Sequence, residues 1–351
     1  MSMYHQWKLR GPVRTLRTEF AEWDITNEQW QAPRSFRLVQ LRPDGRVVEQ
    51  EDHNPNGSIS RSRYTYDETG RLLETTFQLD ERPIGGRLNR YDESGRLVRT
   101  LITDGDGLER DFEVYSYNED GRKTKLQFVP RLENPGACGV TYAVEGAQLA
   151  YGAEGVATIT TLYDDREQSC EALFHNNSGS LVLRVVLSRD DAGRLIAEES
   201  RSGDEPPFSF ARELENAPPK ERTEAAAVLE QLFSPHKAMW STTYEYDERG
   251  RQITRSTVMA GMSQGKMTRE YDEYDNPIRE IEERISGELV ADESGNLQSA
   301  NPKSFRHEVR YEYKYDPHGN WTERVVSMRY ETNPDFQRSN VERREIIYYT
   351  S

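Results

Sequence analysis

A short string, Tyr-Asp-x-x-Gly-Arg, returns along this chain at a near-constant interval, and a recurrence of that kind has to be read before any single element. It stands as Tyr66-Asp67-Glu68-Thr69-Gly70-Arg71 and again as Tyr91-Asp92-Glu93-Ser94-Gly95-Arg96. It returns as Tyr117-Asn118-Glu119-Asp120-Gly121-Arg122 and, far downstream, as Tyr246-Asp247-Glu248-Arg249-Gly250-Arg251. Gly45, Gly70, Gly95 and Gly121 stand 25, 25 and 26 residues apart, room for two strands and two turns.

The chemistry of the string explains its form. Tyr64 and Tyr66 are two apart, so on a strand they share one face. Asp67 opens a turn, because its side chain can accept backbone N–H groups just ahead of it. Gly70 closes the turn, because it can take positive φ without a steric penalty. A type I turn ending in a left-handed glycine is a common hairpin connection. Each copy therefore predicts strand, tight turn, strand. Arg71 follows the turn, either over the Tyr66 ring or solvated. The residues singled out are those of the turns: Asp67, Gly70, Arg71, Asp92, Gly95, Arg96, Gly121, Asp190, Gly193, Asp247, Gly250, Asp316 and Gly319. Their expected role is structural.

On these residues the chain resembles the Rhs or YD-repeat family, the tyrosine–aspartate repeats of bacterial Rhs and Tc toxin shells, wall-associated proteins and animal teneurins. The resemblance implies consecutive hairpins of one long, curving antiparallel sheet. The expected fold is all-β, a meander that is rolled or barrel-like, with one inserted helix. About twenty strands roughly 4.8 Å apart give an edge of about 90–100 Å, enough to close into a cylinder ~30 Å across or to stay open and curved.

Composition narrows the function classes. Only 34% of the 351 residues are hydrophobic, so the 19 tyrosines, each with a ring to bury and a hydroxyl to keep wet, have to supply part of the core. The net charge of −15 argues against nucleic acid as the partner, since phosphate binding needs a basic surface. Two cysteines, Cys138 and Cys170, are too few for a secreted disulfide scaffold and are expected as free thiols in a reducing compartment, although they could pair. Residues 1–10 lack the apolar run of a secretory signal, and no stretch approaches the ~20 apolar residues of a membrane-spanning helix. The expectation is a cytoplasmic protein with no membrane span; export by a dedicated machine, as in some Rhs relatives, stays open.

Taken in order, residues 1–40 are expected to cap the repeats, with strands near 13–20 and 35–41. Trp23 and Trp30 lie between them, as an end cap or as an aromatic platform for a ligand. Asp104-Gly105-Asp106-Gly107 has the look of a calcium loop, but Ile102 would fall at its first ligand position, so a hairpin turn is expected. After Gly121 the period lapses. Residues 130–139 read as an inserted loop, and degenerate copies follow at 151–156, 175–181 and 189–195. Residues 200–240 break the pattern, and 221–233 are rich in helix formers with one apolar stripe, a helix expected to plug an open end or to dock a partner. The repeats resume at Tyr244 and run to 351; Asp275 takes the glycine position in one copy, and 341–349 form a last strand. The whole is expected to be a single repeat domain.

Several motifs for catalysis are missing: there is no phosphate-binding glycine loop, no His-Glu-x-x-His and no Cys-x-x-Cys. The six histidines are scattered. Asp316-Pro317-His318-Gly319 is similar to a signature near the self-cleavage point of Rhs relatives, yet the ordinary repeat accounts for it, and neither protease activity nor a toxin domain is inferred. No metal or cofactor is expected. The expected function is a non-enzymatic scaffold that binds a protein partner, within a toxin or competition system by resemblance. The alternatives are a carbohydrate-binding module at the cell surface, or a hydrolase with paired carboxylates.

Overall fold

In the computed structural model, each corner reverses the chain in the same way. The structure describes residues 9–128, 140–144, 147–151, 156–164, 166, 168–205, 234–259, 263–291 and 297–350. At the Asp67 corner the Asp67 N–H donates to the Arg71 carbonyl (3.0 Å), and the Gly70 N–H donates back to the Asp67 carbonyl (3.0 Å). Gly70 sits at φ +83°, in the left-handed region. The carboxylate locks the corner: Asp67 Oδ1 accepts the Arg71 N–H at 2.8 Å and Oδ2 accepts Arg71 Nε at 2.6 Å. Asp92, Asp190 and Asp247 repeat both bonds with Arg96, Arg194 and Arg251. Their carboxyls are held below the usual aspartate range, chiefly by that backbone N–H.

Among the described residues every regular element is a strand. The first are β1 (Val13–Asp24), β2 (Gln29–Trp30), β3 (Ser35–Leu41), β4 (Val47–His53), β5 (Ile59–Tyr66), β6 (Leu72–Leu79), β7 (Arg82–Tyr91), β8 (Leu97–Asp104), β9 (Glu109–Tyr117) and β10 (Lys123–Phe128). Then come β11 (Val140–Val144), β12 (Ala147–Tyr151), β13 (Val156–Tyr163), β14 (Ser169–Asn176), β15 (Leu181–Arg189), β16 (Leu195–Ser202), β17 (Ala238–Tyr246) and β18 (Gln252–Met259). The last are β19 (Ser263–Tyr271), β20 (Pro277–Ala291), β21 (Leu297–Tyr315), β22 (Trp321–Tyr330) and β23 (Asn333–Tyr348). The pairing is an antiparallel meander, as expected from the corners. The helix expected at 221–233 and the loop at 130–139 lie outside the described residues, as do Cys138 and most of the copy at 151–156. Cys170 is a half-buried free thiol.

The chain divides into two compact units. The first takes Met1–Phe112, Glu270–Glu280 and His307–Ser351. Its pairing runs β21, β22, β23, β1, β3, β4 and on in order to β8, each antiparallel to the next. The first strand thus lies between the third and the last, with Leu16 opposite Ile346 on one side and Val39 on the other. Leu9, Val13, Leu16, Val39, Leu41 and Val47 form its buried core, against Tyr64, Ile346 and Tyr348.

The second unit takes Glu113–Arg269 and Ile281–Arg306. Its strands β10 and β13 to β19 pair in order, and β11 and β12 make a separate hairpin. In its core Ile159, Phe174, Leu183 and Val185 are wholly buried, with Tyr115, Trp240 and Tyr244 packed on the cluster.

Candidate functional site

The corners engage the Asp, Arg and Tyr side chains of the recurring string. At four strand ends the closing tyrosine bonds an earlier corner. Tyr66 Oη donates to the Val47 carbonyl (2.8 Å), Tyr91 to Leu72 (2.9 Å), Tyr163 to Lys123 (2.6 Å) and Tyr246 to Leu195 (2.7 Å). Each acceptor stands two residues after a corner glycine. The arginine between glycine and acceptor lies over that same ring. Arg46 Cζ is 5.9 Å from the Tyr66 centroid, Arg71 4.9 Å from Tyr91, Arg122 5.6 Å from Tyr163 and Arg194 5.1 Å from Tyr246. Arg71 therefore covers the ring of the next corner, not Tyr66 of its own. The reason is lateral: β4 pairs with β5, which sets the corner before β4 beside the corner after β5.

Among the described residues two corners carry Asn in place of Arg, and there the Asn amide reaches the phenol. Asn276 Nδ2 lies 3.1 Å from Tyr315 Oη, and Asn320 Nδ2 lies 2.7 Å from Tyr348 Oη. Asp316 accepts the Asn320 N–H at 2.9 Å and Gly319 has φ +79°, so this stretch is a corner like the rest. Asp275 takes φ +68° where the glycine would stand. Gly107 closes the Asp104 corner, whose Oδ1 accepts the Leu108 N–H at 3.0 Å. One copy escaped the sequence reading: Asp164 accepts the Gln168 N–H at 2.8 Å, a corner signalled only by the dipeptide Tyr163-Asp164.

The first unit also holds a cavity of about 580 Å³, lined among others by Leu16, Phe20, Phe36, Tyr313, Trp321, Arg324, Glu342 and Arg344. Strand alternation explains the mixture. Glu342, Arg344, Ile346 and Tyr348 share one face of β23, and Ile346 and Tyr348 pack on the core. Two charged residues are therefore carried inward by the same pleat. Arg324 stands opposite Glu342 in the register and forms an ion pair with it.

Trp321, 7% exposed, is the floor for both arginines. Arg344 Cζ lies 3.4 Å from its ring centroid and Arg324 Cζ 5.2 Å. Tyr313 lies 6.2 Å from Trp321 and donates to the Pro277 carbonyl at 2.9 Å. Burial pushes the Tyr313 phenol up to about 12. Burial also pushes the Arg344 guanidinium down, to about 9, with Arg324 adding repulsion against the pull of Glu342. At neutral pH Arg344 remains a cation. The Nε atoms of Arg324 and Arg344 are both buried without a hydrogen-bond partner.

A second charged cluster in this unit is closed by its own members. Glu308 is 1% exposed and accepts Arg279 Nε at 2.7 Å, Arg310 Nε at 3.2 Å and Arg329 Nε at 3.0 Å. Burial works against its charge, but the bonds from Arg279 and Arg329 prevail and hold the carboxyl down at about 2. Trp23 and Trp30 face each other across β1 and β2, centroids 4.8 Å apart, and Arg338 lies over both rings. Among the described residues no group of three or more His, Cys, Asp or Glu is placed to hold a metal ion.

No family model matches the chain, and no curated protein matches it. Among solved structures, the crystal structure of TcdB2-TccC3-Cdc42 aligns over 91% of this chain at 14% identity and TM-score 0.38, and the chain spans 15% of that one. A porin-like protein from Bacteroides uniformis aligns over 97% of this chain and 99% of its own, at 10% identity and TM-score 0.32. The outer membrane protein OpdK of Pseudomonas aeruginosa aligns over 95% of this chain and 97% of its own, at 10% identity and TM-score 0.25.

The expectation of a cytoplasmic chain with no membrane span is corrected by this. It rested on the lack of a ~20-residue apolar run, which is a test for helices. Among the described residues no helix is long and apolar enough to cross a membrane. Strands cross differently, as closed barrels in which only alternate residues need be apolar. The described elements here are strands, and two of the aligned structures are a porin-like and an outer-membrane protein.

Proposed function

We propose that this chain is a YD-repeat scaffold that works by binding rather than by turnover, in a toxin or competition system of the kind the repeat family serves. The observation that carries the reading is the engagement of the recurring string. Its Asp closes a corner, its Arg covers the next ring, and its Tyr bonds the carbonyl beyond that Arg. The same three roles recur at Asp190, Arg194 and Tyr246 in the second unit. Groups held this way build a surface and are not poised for proton transfer. Among the described residues the carboxyls that shift, Asp92, Glu308 and Glu323 among them, all shift downward, whereas a general acid for hydrolysis is tuned upward.

The test is a turnover panel on the purified full chain with glycoside, peptide and phosphoester substrates. No product beyond one equivalent per chain is expected. Multiple turnovers that co-purify with the chain and vanish on replacing a single carboxylate would overturn the reading.

A further inference from the structure

We propose that the cavity of the first unit is a binding site for an organic monoanion, a carboxylate with an apolar or aromatic body. The site lies within the scaffold proposed above but does not depend on the absence of turnover.

The charge count comes first. The charged side chains on the cavity wall are Arg37, Asp52, Arg324, Glu342 and Arg344. Arg37 pairs with Asp52, and Arg324 pairs with Glu342. Arg344 is the cation left over, and among the described residues it makes no ion pair. Its neighbour on the sheet face, Glu342, is already the partner of Arg324. A cation in this position has lost water and gained an indole face, which compensates only in part. One further negative charge would neutralise the wall; two would overshoot it.

The hydrogen bonds give the same answer by a separate route. Two buried guanidinium N–H groups, on Arg324 and Arg344, have no acceptor. A buried donor left unmade costs about 1–3 kcal/mol, so two of them in one cavity is a cost a ligand can remove. Both belong to planar guanidinium groups, whose fork of donors matches a carboxylate. The contrast is Glu308, whose three arginines already share a carboxylate from the chain itself.

The rest of the wall suits the body of such a ligand. Leu16, Phe20, Phe36 and Trp321 supply apolar surface. The volume of about 580 Å³ falls among pockets that hold small organic molecules, which run from about 300 to 1,000 Å³. A free inorganic ion would leave that apolar wall uncovered.

The probe is benzoate, titrated calorimetrically into the full chain at neutral pH and low salt. Benzamide serves as the neutral isostere, and inorganic phosphate and sulfate as the competing anions. Saturable benzoate binding is expected, at least tenfold tighter than benzamide and tighter than either inorganic ion. Arg344→Met should weaken benzoate about tenfold or more while leaving the thermal midpoint unchanged or higher, since it removes a buried cation that lacks a counter-ion. Glu342→Gln gives a reading in the opposite direction: with Arg324 released, benzoate should bind more tightly. Benzoate heats that fail to saturate by about 10 mM would overturn the proposal. So would equal binding of benzamide, stronger binding of phosphate or sulfate, or a Glu342→Gln chain that binds benzoate no better. None of these outcomes bears on the turnover panel, so the two readings fail separately.

Discussion

Replacing Gly70 by alanine tests the stitch between corners more directly than any other change. A Cβ at Gly70 would stand 2.0 Å from Arg46 Cζ, 2.0 Å from Nη2 and 2.4 Å from Nη1. The guanidinium is the end of a flexible side chain and would swing away. The cost is then what Arg46 loses by leaving, added to the cost of alanine at φ +83°. Gly57 isolates that backbone cost, since it has φ +85° and nothing within 4 Å of its would-be Cβ. Gly57→Ala should cost about 1–2 kcal/mol, the penalty for an L-residue in the left-handed region. Gly70→Ala should cost the same plus about 0.5–1 kcal/mol for the exposed stack on Tyr66. A few tenths more should come from the half-exposed Arg46–Asp44 pair. Both positions lie in the first unit, so urea unfolding of the full chain, followed by circular dichroism, compares them in one transition. In an Arg46→Ala background the excess should vanish, and the two alanine variants should become equal. An excess that survives the loss of Arg46 would refute the stacking account, and so would equal costs with Arg46 present.

Gly250→Ala should show the backbone cost alone, because Arg194 Nη1 is 4.0 Å from its would-be Cβ; unfolding midpoints compared with Gly70→Ala check this. Glu308→Gln should destabilise the first unit by about 3–5 kcal/mol, since three arginines lose a buried counter-charge, and urea unfolding measures it. The same residue sets a pH window. Its folded value of about 2 lies below the ordinary 4.5, so its contribution is complete above about pH 4.5 and is lost as pH falls toward 2. Unfolding midpoints taken across that window should fall less steeply in Glu308→Gln than in the parent chain. Tyr91→Phe should cost about 1 kcal/mol through the Leu72 carbonyl it leaves bare, and less if water reaches that oxygen; thermal unfolding reads it.

Much of the fold was legible in the string itself. Asp, Gly and the spacing between them prescribe a turn by local chemistry alone, and local chemistry is what a sequence shows. The same reasoning reached degenerate copies such as His175-Asn176-Asn177-Ser178-Gly179, where Asn176 supplies the acceptor for the Ser180 N–H at 3.0 Å. It missed Asp164, because the corner there closes without glycine and the search leaned on glycine. For Arg71 it left two readings open, over the Tyr66 ring or solvated, and neither was the Tyr91 ring that Arg71 covers. A side chain's neighbour across a sheet depends on which strands pair, and nothing inside the string reports that. The cavity was hidden for the same reason. Trp321, Arg324 and Arg344 meet only because β22 pairs with β23 in the register that sets Arg324 opposite Glu342. One signal was available: Glu342 and Arg344 alternate with the apolar Ile346 on one strand face, where a half-buried strand would ordinarily stay apolar.

The forward reach of each arginine has a consequence for how such a chain can grow. Arg46 closes on Tyr66 after an ordinary interval, whereas Arg194 closes on Tyr246 across a much longer one, with the same clasp at the end. A link that registers only with the neighbouring corner is indifferent to what is threaded between. Whole modules could therefore be gained or dropped without rewriting the joints. Selection would be left with a molecule whose length is negotiable and whose hinges are not.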